Sequence, residues 1–136
     1  MRIVILPDPA AVAAFGAQQL ISQLQQKPSS VLGLATGSSP VQLYKRLVQA
    51  VQAGQVSMAE VTTFNLDEYL GLATTHPQSY RHFMNTHLFD QVDIRLAATH
   101  VLDGLSSDPL KVCSTYETLI RDQGGVDLQL LGIGRN

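Results

Sequence analysis

Short apolar runs alternate with stretches of helical periodicity along the chain. The runs that predict strands cover residues 3–6, 31–35, 61–65, 101–102 and 126–133. Between them, apolar residues recur at three- and four-residue spacing, which predicts helices that start at Pro9, Val41, Tyr80 and Pro109. Strands that alternate with helices in this way predict an α/β fold, in which a doubly wound, mostly parallel sheet carries helices on both faces.

The predicted helices carry sequence signals at their ends. Asp8 and Asp108 each precede a proline, and in such a pair the acid caps the helix while the proline takes the first helical position. Ser79 is a predicted cap for the third helix. Gly54 is predicted to end the helix that starts at Val41, because glycine readily adopts the left-handed conformation of a helix end.

Composition narrows the class of protein. With 136 residues, the chain is one domain or a piece of one. Nine Lys and Arg against eleven Asp and Glu, with no basic run, argue against a nucleic-acid partner. Cys113 is the single cysteine and has no partner for an internal disulfide, and we expect it to be a small buried thiol. The apolar run near the start is too short for a signal peptide or a membrane span, so we expect a cytoplasmic protein without membrane contact.

The first candidate for chemistry is the loop Thr36-Gly37-Ser38-Ser39-Pro40, which joins a predicted strand to a predicted helix. Gly37 allows a tight turn, and the backbone N–H groups of the loop and of the following helix start can form a cradle for a phosphate. The hydroxyl groups of the loop would add donors. The alternative is ordinary turn and cap chemistry, since serine and threonine favour helix starts. A nucleotide is not implied, because the lysine of a Walker loop does not follow.

The second candidate is the segment Asn65-Leu66-Asp67-Glu68-Tyr69, at the end of the third predicted strand. In a parallel sheet this end lies beside the end of the strand before the Thr36 loop. A carboxylate here could move a proton on a carbon next to a carbonyl or an imine. The alternative is that one acid caps the next segment and the other faces water. Adjacent acids point in different directions, so we expect at most one of them to be catalytic.

The histidines do not indicate a metal site. His82 and His87 are five residues apart, which does not place them on one helical face. His76 and His100 are treated as ordinary loop or surface residues, and no metal or organic cofactor is predicted. The Gly132-Ile133-Gly134 segment could allow a close backbone approach to a ligand or could form a simple bend.

Together these segments resemble the glucosamine-6-phosphate deaminase family over nearly the whole chain. The motifs that carry the resemblance are Leu32-Gly33-Leu34-Ala35-Thr36-Gly37-Ser38-Ser39-Pro40, Thr63-Phe64-Asn65-Leu66-Asp67-Glu68-Tyr69, His76-Pro77-Gln78-Ser79-Tyr80 and Leu131-Gly132-Ile133-Gly134-Arg135-Asn136. The first motif would also fit 6-phosphogluconolactonases and related sugar-phosphate sensors. The second and third motifs together are far more specific to the deaminases.

The resemblance implies a Rossmann-like fold and a reaction without a cofactor. Glucosamine 6-phosphate and water would give fructose 6-phosphate and ammonia, through ring opening, proton transfer between C1 and C2, and hydrolysis of an imine. Asp67 matches the family's enolisation base, and Asn136 matches a position assigned to ring opening. Residues Thr36, Gly37, Ser38 and Ser39 match the substrate-holding loop, and we assign Glu68 to substrate binding beside the base.

The resemblance also implies that residues 1–136 are the N-terminal part of a single domain, truncated at its C-terminal side. In the family, the position of Asn136 is followed by a Gly-His-Ile segment and a Phe-Asn-Glu segment that complete ring opening. We therefore expect little or no deaminase activity from this chain alone. The alternatives are a 6-phosphogluconolactonase-like hydrolase and a non-catalytic sugar-phosphate sensor. Whether the protein is a homo-oligomer is left open.

Overall fold

The computed structural model describes residues 2–133. In this part of the chain, four α-helices alternate with four β-strands, and two short 3₁₀ turns precede the third strand. The elements are α1 (Pro9–Gln26), β1 (Val31–Leu34), α2 (Val41–Gln52), β2 (Thr62–Asn65), α3 (Tyr80–His87), β3 (Thr99–His100), α4 (Pro109–Asp122) and β4 (Leu128–Gln129). The predicted α/β fold is confirmed.

The four strands form one parallel sheet in the order β3-β2-β1-β4. The two central strands are in register from end to end, with Leu34 at the end of β1 opposite Asn65 at the end of β2. The loops that follow β1 and β2 therefore leave from the same edge of the sheet. In open α/β sheets this carboxyl edge is where ligands bind.

Helices cover both faces of the sheet. On one face, Leu32 and Leu34 of β1 belong to the main hydrophobic core together with residues of α1, α2 and α3. Successive strand residues point to opposite faces, and Phe64 of β2 lies on the other face. There its ring contacts the ring of Tyr116 on α4, with 5.4 Å between the ring centroids. The predicted doubly wound arrangement is thus confirmed.

The predicted helix caps are present. Asp8 accepts a hydrogen bond from the N–H of Ala11 at 2.7 Å, and Asp108 accepts one from the N–H of Lys111 at 3.0 Å. Ser79 caps α3 through the N–H of His82, also at 3.0 Å. Each such cap typically contributes about 1 kcal/mol of stability. Gly54 follows α2 with a φ of 70°, as expected for a residue that ends a helix.

The strand predicted over residues 3–6 is wrong. Within residues 2–133, this segment pairs with none of the four strands. Ile3 and Ile5 are 73% and 91% exposed. A β-branched run favours an extended backbone, but a strand needs a neighbour that accepts and donates its backbone hydrogen bonds.

Two other strand predictions are displaced or too long. The strand predicted at residues 101–102 lies at Thr99–His100, where Thr99 is buried opposite Thr63 of β2. Because both residues of this strand are polar, the pattern of apolar runs does not indicate it. The strand predicted over residues 126–133 is paired only at Leu128–Gln129. The prediction of a buried thiol at Cys113 is also wrong, because this residue is exposed on α4, a helix without a fully buried residue.

Candidate active site

The loops after β1 and β2 meet in a cleft at the carboxyl edge of the sheet. Thr36 and Asp67 both line this cleft, which has a volume of about 300 Å³. Residues 131–133, which continue from β4, form its third side. The parallel register that sets Leu34 opposite Asn65 explains why two segments thirty residues apart in sequence come together here.

The start of α2 is an open helix N-terminus. Pro40 occupies the cap position, makes no side-chain cap and is followed by a first turn without an acidic residue. In contrast, α1, α3 and α4 are each capped by a side chain. The N–H groups of residues 41–43 find no hydrogen-bond acceptor among the described residues. Free N–H groups and the helix dipole together favour an anion at this place.

The serines of the same loop lie next to this helix start. Ser38 and Ser39 line a cavity of about 700 Å³ together with Pro40. Neither hydroxyl makes a hydrogen bond with another residue of the described part of the chain. This cavity and the cleft of Asp67 share Ala35 and residues 131–133 in their walls. A ligand with an anionic end and a reactive end could therefore extend from one to the other.

Glycine at position 37 is required by the backbone. Gly37 has a φ of 87°, in the left-handed region that side chains with a Cβ rarely adopt. A Cβ built at this position would meet nothing within 4 Å, so the requirement comes from backbone conformation and not from crowding. Gly37 also lines a third cavity, of about 530 Å³, together with Tyr69 and Tyr80.

Asp67 has the electrostatic surroundings of a base. Its pKa is raised, first by partial burial of the carboxylate and second by the negative charge of Glu68. Both effects disfavour the ionised form, so the carboxylate holds a proton more tightly than a free aspartate does. A base with a raised pKa is better matched to the removal of a proton from carbon near neutral pH.

Glu68 has a different environment from its neighbour. Its Oε1 accepts hydrogen bonds from the N–H groups of Tyr69 and Tyr80, both at 2.9 Å. Its Oε2 accepts one from the N–H of Arg81 at 3.0 Å. Its predicted role in substrate binding stays a prediction, and these contacts do not favour it. The sequence-based expectation that the two acids point in different directions is met.

Two tyrosines that were not predicted as site residues lie beside the cleft. The hydroxyl groups of Tyr69 and Tyr80 are 3.2 Å apart, and the ring centroids are 4.8 Å apart. Their hydrogen bond, with burial and the negative charge of Asp67 as further causes, raises the pKa of Tyr80 to about 12. Tyr80 therefore stays protonated at neutral pH and can donate. In the sequence, the feature that could have pointed to Tyr80 is its position directly after the predicted helix cap Ser79.

Asn65 belongs to the second candidate segment, but no role was predicted for its side chain. Its side-chain amide is buried and donates to the carbonyl oxygen of Leu34 at 2.9 Å, which joins the ends of β1 and β2. The hydroxyl of Tyr116 accepts the N–H of Asn65 at 3.1 Å. The same hydroxyl lies 2.8 Å from the carbonyl oxygens of Asn65 and His100, to one of which it donates. The backbone two residues before Asp67 is thus held from two sides.

The predicted site residues are partly brought together. Thr36 and Asp67 share one cleft, Ser38 and Ser39 line the adjoining cavity, and Gly37 forms the turn between them. Asn136, predicted for ring opening, lies outside the described residues. Across residues 2–133, no group of three or more His, Cys, Asp or Glu side chains could hold a metal ion. No helix in this range is long and apolar enough to cross a membrane.

These features define a class: an α/β protein with a carboxylate and an open helix N-terminus at the carboxyl edge of a parallel sheet. The chain belongs to the family described as glucosamine-6-phosphate isomerases and 6-phosphogluconolactonases, whose sequence profile matches residues 8–136. The resemblance noted from the sequence motifs is confirmed.

Curated relatives align with this chain over its whole length. The chain is 62% identical to glucosamine-6-phosphate deaminase from Shewanella loihica and 57% identical to that from Cellvibrio japonicus, in each case over 136 residues. It is 46% identical to glucosamine-6-phosphate deaminase 2 from Bacillus subtilis. It covers 51%, 52% and 55% of these proteins, so the chain spans about half the length of the relatives it matches.

Solved structures agree with this fold. A monomeric glucosamine-6-phosphate deaminase of the NagB superfamily matches with a TM-score of 0.96 at 35% identity, over all of this chain and 56% of its own. A 6-phosphogluconolactonase from Thermotoga maritima matches with a TM-score of 0.77 at 23% identity, over 96% of this chain and 59% of its own. The second likeness concerns the fold alone.

Proposed function

We propose that this chain supplies the base and the phosphate cradle of a glucosamine-6-phosphate deaminase, which converts glucosamine 6-phosphate and water to fructose 6-phosphate and ammonia. The observation that carries the proposal is the arrangement of Asp67 and the open N-terminus of α2 around two adjoining cavities. The names of the most similar relatives support the same reaction.

The phosphate of the substrate binds at the start of α2 in this proposal. The N–H groups of the loop and of the first turn surround the anion, and the hydroxyls of Ser38 and Ser39 donate to it. Binding energy from this remote group holds the reacting carbons in place, which raises the rate of the chemical step. The sugar then extends past Ala35 toward Thr36 and Asp67.

Asp67 moves the proton in the open-chain form of the sugar. Its carboxylate removes the proton from C2, the electron pair forms a double bond between C1 and C2, and the C1 oxygen takes a proton from the ammonium group of the substrate, which gives an enol with a neutral amine on C2. The same carboxyl group returns the proton to C1, which leaves a carbon–nitrogen double bond at C2. Water adds to C2, and ammonia leaves as the ketose carbonyl forms. A well-placed acid–base carboxylate of this kind contributes about 100- to 10,000-fold to the rate.

The proposal has consequences for partners and location. The partner is a small amino-sugar phosphate, and with nine basic against eleven acidic residues and no basic run we propose no nucleic-acid partner. We propose a cytoplasmic enzyme that works without membrane contact.

The test is ammonia release from glucosamine 6-phosphate by the protein expressed from its complete reading frame. Asp67→Asn keeps the size of the side chain and removes its ability to take a proton, so we expect kcat to fall about 100- to 10,000-fold. The matched control is Asp122→Asn, on the exposed end of α4, for which we expect unchanged kcat.

Two further readouts separate the alternatives. Hydrolysis of 6-phosphogluconolactone without ammonia release from the amino sugar would replace the proposed function by the lactonase alternative. Tight binding of glucosamine 6-phosphate without turnover would favour a sensor. Full turnover in the Asp67→Asn variant would show that another group is the base.

A further inference from the structure

Glu68 occupies the N-terminus of α3 although it comes eleven residues before its cap, Ser79. The carboxylate accepts the N–H groups of Tyr80 at 2.9 Å and Arg81 at 3.0 Å, the first two of the helix. Ser79 takes the third, that of His82. A negative charge at this end of a helix is stabilised by the helix dipole. The first turn of α3 is therefore satisfied by the protein itself.

The same carboxylate also accepts a hydrogen bond from the backbone of its own loop. Its Oε1 accepts the N–H of Tyr69 at 2.9 Å, two residues after Asp67. Because Oε1 is shared by Tyr69 and Tyr80, the loop and the helix meet at one oxygen atom. The position of the Asp67 backbone is thus tied to α3 by its immediate neighbour in sequence.

The loop is held from its other side by Gly104. The carbonyl oxygen of Gly104 accepts the N–H of Gly71 at 2.7 Å. A Cβ at position 104 would lie 2.3 Å from the carbonyl oxygen of Tyr69 and 3.3 Å from Cγ of Glu68. Glycine is needed here because two backbone segments approach each other closely. The residues after Asp67 therefore contact α3 through Glu68 and the Gly104 segment through their backbone.

We propose that Glu68 is a positioning residue, which binds the first turn of α3 and thereby holds Asp67 in place for proton transfer, and that it does not bind substrate. This inference rests on the proposed function, since it assigns Glu68 a role in the same reaction. It replaces the role that the sequence alone suggested for this residue. The geometry of three N–H donors around one carboxylate supports it.

The direct test is Glu68→Gln in the protein expressed from its complete reading frame. Glutamine keeps the length of the side chain but presents an N–H₂ group where one oxygen accepted a donor. We expect kcat to fall about 10- to 100-fold with a small change in KM, because displacement of a catalytic group by about 1 Å can cost about 100-fold. Amide hydrogen exchange at Tyr80 and Arg81 should become faster. Glu60→Gln, at an exposed site, is the matched control.

The pH profile gives a readout that loss of stability would not move. Among the described residues, Glu68 on the same loop raises the pKa of Asp67, and the charge of Asp67 in turn raises the pKa of the Tyr80 hydroxyl on α3. The negative charge of Glu68 contributes to the raised pKa of Asp67, so its removal lowers that pKa. The acid limb of kcat/KM should then move to lower pH in Glu68→Gln. It should stay in place in Glu60→Gln.

Glu68→Asp is a second variant, and it keeps the inference testable if the Glu68→Gln variant does not fold. Aspartate keeps the charge but is one methylene shorter, so kcat should fall while the acid limb stays near that of the unaltered protein. An increase in KM at unchanged kcat in either variant would restore the substrate-binding role and overturn the inference. Unchanged kcat and an unmoved acid limb in Glu68→Gln would overturn it as well. If the unaltered protein releases no ammonia, the proposed function itself has failed.

Discussion

Two helix N-termini lie near the carboxyl edge of the sheet, and they are treated in opposite ways. The first turn of α3 is closed by Ser79 and Glu68, which together accept its first three N–H groups. The first turn of α2 has no side-chain cap and no acidic residue. The same backbone feature therefore serves structure in one place and is left free for an anion in the other. The two helix starts differ because a carboxylate of the protein itself accepts the first N–H groups of α3, whereas no side chain caps α2.

A carboxylate placed at the N-terminus of α2 should have the largest effect of the changes considered, because it would occupy the proposed phosphate site. Ser39→Asp would place a carboxylate beside the first turn, as Glu68 does at α3. We expect KM for glucosamine 6-phosphate to rise about 100-fold or more, because two like charges side by side cost several kcal/mol. We also expect a gain in stability of about 0.3–1 kcal/mol, because an acid near a helix start is favourable. Steady-state kinetics and thermal unfolding measure the two effects.

The control for this change is Ser39→Asn, which has the same size and no charge. It should change KM far less than Ser39→Asp and should not add the dipole stabilisation of the acid. Equal KM values for the two variants would mean that the phosphate does not bind at the start of α2.

Removal of the side-chain cap of α3 should have a smaller effect, and this effect should be on stability and not on substrate binding. Ser79→Ala removes the oxygen that accepts the N–H of His82, so the free energy of unfolding should fall by about 0.5–2 kcal/mol. KM should change little, because Glu68 still occupies the first turn. Ser29→Ala, at an exposed position before β1 and away from the site cavities, is the matched control. A rise in KM without loss of stability in Ser79→Ala would break the distinction between the two helices.

The helix boundaries were predictable because their signals are local. Asp8 and Asp108 each cap a helix that begins with a proline, and Gly54 follows α2 in the left-handed conformation. In each case the residues that fix the end lie within a few positions of it. The strand predicted over residues 3–6 had no such support. Its apolar residues describe a strand only if a neighbour pairs with them, and that depends on distant parts of the chain.

The meeting of Thr36 and Asp67 in one cleft was predictable for a related reason. Thr36 and Asp67 follow adjacent parallel strands, and the ends of such strands meet at one edge. The sequence left open which of the two adjacent acids has which task. That question depends on Tyr80 and Arg81, which reach Glu68 only after the chain has folded back over twelve residues. Contacts of this range leave no periodic or capping pattern to find in advance.

The most direct test of the account follows the backbone amides of both helix starts by NMR during a titration with fructose 6-phosphate. Without ammonia this ligand is not converted, so binding can be measured at equilibrium in the protein expressed from its complete reading frame. We predict that the amides of Gly37, Ser38, Ser39 and residues 41–43 shift together and saturate, and that inorganic phosphate competes. The amides of residues 80–82 should shift little. Saturating shifts at residues 80–82, with residues 41–43 unmoved, would contradict the assignment of the open helix N-terminus as the phosphate site.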